Sequence, residues 1–169
     1  MYTTTVIDNE EHCMEVMAGM EEAFTRKDES YFLDVLMKEP SLVLRVHAVC
    51  ILADLGGEKS IPTLSDVLLH DTDPLVKHEA AFSMGQIGLN SAIGALEKAM
   101  LSDSDPVVRH ESAAALGSIG SATSEGALKK ALNDKDQIVS NSARASLFNI
   151  DFLRRHPIGI GTRDRAPRP

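Results

Sequence analysis

Two stretches decide the fold: DPLVKHEAAFSMGQIG at residues 73–88 and DPVVRHESAAALGSIG at residues 105–120. Pro74 and Pro106, His78 and His110, and Gly88 and Gly120 each lie 32 residues apart. The same offset carries Ile87-Gly88 back to Leu55-Gly56, and Ile93 with Leu96 back to Ile61 with Leu64. A fourth copy, DQIVSNSARASLFNID, begins at Asp136, offset by 31 because the loop before it is one residue shorter. Repetition at this period marks an array of supersecondary units.

Each copy carries one longer helix with a common apolar skeleton. Leu44, Ala48, Leu52 and Leu55 recur as Val76, Ala80, Met84 and Ile87, then as Val108, Ser112, Leu116 and Ile119, and last as Val139, Ala143, Leu147 and Ile150. Steps of four, four and three keep them on one face of a 3.6-residue helix. Shorter partner helices are expected at YFLDVLM from Tyr31, IPTLSDVLL from Ile61, IGALEKAML from Ile93 and GALKKAL from Gly126, with an extra amphipathic helix near residues 9–25. Asp followed by Pro at 73 and 105 reads as a cap with proline at the first helical position, and Gly56, Gly88 and Gly120 read as helix ends. A two-helix unit cannot bury its stripe alone, so units stack. The expectation is all-α: a right-handed α-solenoid of four helical hairpins, at about 28–56, 59–88, 91–120 and 123–152, with an extra N-terminal helix. The pattern resembles HEAT-like repeats, of the kind also found in phycobilin lyases, through residues 28–152. The repeat domain is set at 9–153, between a flexible N-terminus (1–8) and a disordered basic tail (154–169).

Composition agrees. Aromatic content is 4%, with no Trp, which suits closely packed helices. No apolar run is long enough to span a bilayer, and no basic, apolar leader opens the chain. Cys13 and Cys50 form no disulfide framework, and a cytoplasmic setting is expected. Of the formal net charge of −8, five arginines after Leu153 hide a body, residues 1–153, with 12 basic and 24 acidic residues. Such a body repels phosphate backbones and attracts cations, so neither nucleic acid nor membrane is an expected partner.

Two positions in the longer helix do not serve packing. They lie two and three residues past the first stripe position and read Val46-His47, His78-Glu79, His110-Glu111 and Asn141-Ser142 in the four copies. At about 100° per residue the first of these faces away from the stripe, onto the inner wall of the stack, and the second faces the neighbouring repeat. Adjacent helices lie about 8–10 Å apart, which leaves room for one ion between the imidazoles of His78 and His110. Two histidines with Glu79 or Glu111 and open positions form a non-haem Fe(II) pattern, and zinc takes the same ligands. The plain alternative is that duplication copied an exposed His-Glu pair with no role. Against it, the outer copies lack the pair and the scaffold does not need it.

KHEAAFSMGQIG and, one repeat later, RHESAAALGSIG resemble deoxyhypusine hydroxylase, a HEAT-repeat di-iron enzyme, and the likeness extends from RVHAVCILADLGG to FNIDFLRRHP. That family pairs two halves of four repeats, each with two His-Glu motifs, around two irons. It uses O2 to hydroxylate deoxyhypusine, a lysine-derived side chain on translation initiation factor 5A. The resemblance implies that His78, His110 and Glu111 ligate one iron, and that Glu79 lies just outside this set or binds the cationic substrate. Glu79 and Glu111 are thus the catalytic candidates. Here there are two His-Glu motifs, not four. A twofold homodimer with concave faces meeting would restore a di-iron site. The alternatives are a non-catalytic HEAT-repeat interaction scaffold and a metal-binding protein without hydroxylase activity.

Overall fold

Aspartate caps set where the long helices begin. In the computed structural model, which describes residues 10–156, the Asp73 carboxylate accepts the backbone N–H of Leu75 at 2.8 Å, and Asp105 accepts that of Val107 at 2.7 Å. Each cap precedes proline at the first helical position, whose missing N–H costs nothing there. The same two helices stop at Gly88 and Gly120, with φ of +74° and +73°, in the left-handed region that a side chain disfavours.

Nine α-helices follow among the described residues: α1 (Glu10–Arg26), α2 (Glu29–Lys38), α3 (Leu42–Leu55), α4 (Ser60–His70), α5 (Pro74–Ile87), α6 (Ile93–Ser102), α7 (Pro106–Ile119), α8 (Glu125–Ala131) and α9 (Gln137–Arg155). They form four hairpins, α2/α3, α4/α5, α6/α7 and α8/α9, stacked behind α1 as an all-helical solenoid. Single 3₁₀ turns at Asn90–Ala92 and Ala122–Ser124 lead into α6 and α8. Helix α9 runs on through Arg154 and Arg155, into the stretch expected to be tail. Residues 1–8 and 157–169, expected to be flexible and disordered, lie outside the described residues. No helix among the described residues is long and apolar enough to cross a membrane.

The core is the repeated stripe. Leu44, Ala48, Leu52, Val76, Ala80, Met84, Val108, Leu116, Val139, Ala143 and Ile150 are buried, and Leu55, Ile87, Ile119 and Leu147 close its edge. Buried Ser112 takes its stripe position by donating its hydroxyl to the Val108 carbonyl at 2.8 Å.

Two devices lock one repeat to the next. The first is close backbone approach. A Cβ on Gly85 would stand 2.9 Å from Ala115 Cα, and one on Gly117 would stand 2.8 Å from Ser146 Cα. Ser146 Oγ donates to the Ala113 carbonyl and Asn149 Nδ2 to the Gly117 carbonyl, both at 2.7 Å. The second is a ladder of ion pairs. Arg45 meets Asp71 at 2.6 Å, Lys77 meets Asp103 at 2.8 Å, and Arg109 meets Asp134 at 2.9 Å and Asp136 at 2.6 Å. Each of these loop aspartates (Asp71, Asp103 and Asp134) also accepts the backbone N–H two residues on, which holds the turn into the next long helix. The Arg109 hydrogen bond holds the Asp134 carboxyl below its ordinary range, against the opposing effect of burial.

Gly117→Ala should destabilise the chain by about 1–3 kcal/mol, because the neighbouring backbone cannot give way. Gly94→Ala, at a helical position with nothing within 4 Å of the added carbon, should instead stabilise it by up to about 1 kcal/mol. Urea midpoints read both.

Since Asp134 titrates lower folded than unfolded, its stabilisation is complete above the ordinary value of 3.8 and is lost as pH falls through the folded value. Asp134→Asn should cost about 3 kcal/mol at neutral pH and flatten the acid limb of stability against pH, measured by urea unfolding across that range.

Candidate functional site

The long helices α3, α5, α7 and α9 stand side by side, and the wall they share carries the positions that packing leaves over. The position two past the stripe start and the position three past it lie on opposite flanks of that wall. Facing edges of neighbouring helices therefore present one of each. His78 Nε2 stands 3.2 Å from Glu111 Oε2, and His110 Nδ1 stands 2.5 Å from Ser142 Oγ. The contact that forms is diagonal, imidazole to carboxylate, where spacing alone suggested imidazole facing imidazole. Glu79, whose diagonal neighbour is Val46, instead accepts a hydrogen bond from the Cys50 thiol, Sγ to Oε1 at 3.3 Å, one helical turn further on.

The His78–Glu111 pair is shielded: their side chains are 28% and 14% exposed. His78 Nδ1 is buried without a hydrogen-bond partner, so the ring is held from its Nε2 side. Burial, with the Glu79 carboxylate as the next cause, pushes the Cys50 thiol up to about 11. Sequence spacing missed Cys50 and Ser142. Their signal was positional: Cys50 lies four residues after Val46, and Ser142 fills in the last copy the slot that holds glutamate in the two before it.

Among the described residues no group of three or more His, Cys, Asp or Glu side chains stands assembled as a metal-binding set. What is assembled is a two-donor edge. Metal–ligand bonds of about 2.0–2.2 Å place neighbouring donors about 3.0–3.4 Å apart, and the His78–Glu111 separation fits that edge. A nitrogen and a carboxylate oxygen are also the donor types that Fe(II) and Zn(II) accept. His110 is instead tied through Nδ1 to Ser142.

Two further features share this part of the molecule. A trough of about 240 Å³ between α7 and α9 is lined by small side chains, Ala114, Gly117, Ala145 and Ser146, together with Ser142. One residue before each stripe start, Val43, Leu75, Val107 and Ile138 are exposed at 72%, 50%, 46% and 47%, an aliphatic row one helical turn from the His-Glu positions.

Stacked helical hairpins locked by a loop aspartate ladder define a solenoid of short α-helical repeats. The HEAT-repeat family model matches residues 29–117 and 68–148, and the chain belongs to that family. Among solved structures, human deoxyhypusine hydroxylase aligns with a TM-score of 0.68 at 28% identity, over 74% of this chain and 44% of that one. The chain thus spans less than half the length of that enzyme. An engineered protein aligns with a TM-score of 0.48 at 25% identity, over 73% of this chain and 37% of that one. A search of curated proteins finds no match.

Cys50 should alkylate roughly 100-fold more slowly near neutral pH than a free thiol of pKa about 8.5, because so little thiolate is present. Glu79→Gln should speed the reaction several-fold. Mass-spectrometric labelling rates check both.

Proposed function

We propose that this chain is a metal-dependent monooxygenase module of the deoxyhypusine hydroxylase kind, binding iron in preference to zinc. Its substrate would be a lysine-derived amine side chain, such as deoxyhypusine on a protein like translation initiation factor 5A. Two copies would pair through their concave faces to bring two irons together. The single observation behind the reading is the His78–Glu111 contact, bridging successive repeats, within a fold that aligns with that hydroxylase at 28% identity.

In this reading His78, Glu111 and His110 hold the ion. When bound, iron supplies the oxygen chemistry that no side chain can supply. The chain's own residues do the rest. A cation bound at this edge would take the place of the His78–Glu111 contact. Glu79, which accepts a hydrogen bond from the Cys50 thiol, would be the carboxylate that meets an ammonium group. The acidic body draws a cationic substrate in.

The exposed aliphatic row favours a second reading, an interaction scaffold that carries no metal. Protein purified with Fe(II) and analysed for metals separates the two. The enzyme reading expects one iron per chain, a dimer by light scattering, conversion of a deoxyhypusine-bearing protein, and loss of iron in His78→Ala and His110→Ala. Iron well below one per chain would sink it and leave the scaffold. Iron retained without conversion would leave a binding protein only.

A further inference from the structure

The last repeat lacks both devices that lock the others together. Gly85 and Gly117, which admit the next long helix, are matched in α9 by Phe148, at the same distance past the stripe start and 71% exposed. Arg45, Lys77 and Arg109, which reach to the next loop, are matched by Ser140. A further repeat of the same kind therefore cannot seat on α9 at the spacing seen between α5, α7 and α9. The face is nonetheless apolar, with Phe148 and Phe152 one turn apart beside exposed Ala145. At the opposite end of the stack, α1 packs on α2 and α3 through buried Met20 and Ala23 and leaves Met14, Met17 and Phe24 exposed. Terminal repeats ordinarily carry polar outer faces. Both of these are apolar.

Charge separates the two ends. Residues 10–38 carry eight acidic and three basic side chains, and residues 125–155 carry four acidic and six basic. Glu10 and Glu21 bracket the methionines of α1, and Arg144 and Arg155 bracket the phenylalanines of α9. Each pair is eleven residues apart, about 16 Å along a helix and back on the same face. Glu10, Glu21 and Arg144 have no ion-pair partner among the described residues, and Arg155 meets only Asp151 of its own helix, an exposed pair of little worth. We propose that a second copy of this chain docks end to end, the α1 face of one copy against the α9 face of the other, with methionines on phenylalanine rings and glutamates on arginines. Thioether sulfur is favourable beside aromatic rings, and flexible methionine fits an irregular partner. Pairing either face with its own kind would set like charges together, so the contact joins unlike ends. Such a contact leaves one face free on each copy, and copies add in a row. Nothing in it rests on metal binding.

Sedimentation velocity on the full chain tests this at low salt, from about 1 μM to 1 mM, the range in which contacts smaller than a standard interface associate. The weight-average sedimentation coefficient should rise with concentration, and about 0.5 M NaCl should weaken the association several-fold. Met17→Glu spoils one face and Phe148→Glu the other, and both positions are exposed, so far-UV circular dichroism should not change. Either variant alone should associate at least about 10-fold more weakly than the wild type. An equimolar mixture holds one intact face of each kind, so it should regain the wild-type affinity and stop after a single step. A wild-type coefficient independent of concentration would overturn the proposal, as would a mixture no stronger than either variant alone. Association that survives in Met17→Glu but not in Phe148→Glu would mean α9 pairing with its own copy, and association that survives in both would mean a contact elsewhere, such as the concave wall; each result defeats the end-to-end contact.

Discussion

Everything on the inner wall depends on how closely α5, α7 and α9 approach one another. Gly85 against Ala115 and Gly117 against Ser146 leave no space for even one further carbon between helices. Contacts so near the backbone fix the stagger of neighbouring helices far more tightly than long side chains, which can change rotamer. The stagger in turn decides which side chains meet. With it in place, a residue two past the stripe start in one repeat faces a residue three past it in the next, and His78 comes to Glu111. A slip of one residue along the helix would move every such partner to another face.

The ion-pair ladder works with that packing. Arg45, Lys77 and Arg109 each reach from the first turn of a long helix to the loop that opens the next one. Buried charge pairs rarely add much net stability, because desolvation offsets their attraction, yet losing one partner is costly. Their contribution is specificity of register: the same aspartate that takes the cation also holds the backbone of the turn. In the last repeat Asp134 keeps both roles and a second aspartate joins it. Asp136 makes no side-chain cap on α9, and its carboxylate goes to Arg109. The strongest of the three clamps therefore sits between the two repeats that place His110 against Ser142.

The architecture was legible in the sequence because stripe, cap and terminator all agree. Apolar steps of four, four and three, Asp-Pro starts and glycine stops each name the same helices, and the hairpin bounds follow within a few residues. The four candidate site residues were legible for a related reason: His78, Glu79, His110 and Glu111 sit where packing asks for nothing. Which of them touch was not legible. Spacing gives the angle of a side chain about its own helix, but not the stagger between two helices, and that stagger is set by small residues whose role shows only when backbones are laid side by side. The loop aspartates went unread as a ladder for the same reason, since a pair 26 residues apart belongs to no single helix.

Diagonal pairing also accounts for the number of candidate sites. Facing positions combine one residue from each of two successive repeats, so two tandem His-Glu motifs give one imidazole–carboxylate pair, not two. The outer members of the motifs must then find other partners, and they do: Glu79 takes the Cys50 thiol and His110 takes the Ser142 hydroxyl. Both substitutes are neutral, so the row of functional groups ends at each side without a second charged pair that could divert a cation. One chain of this design offers one two-donor edge near the middle of its inner wall. A reaction that needs two such centres facing each other must draw the second from outside this stretch of chain.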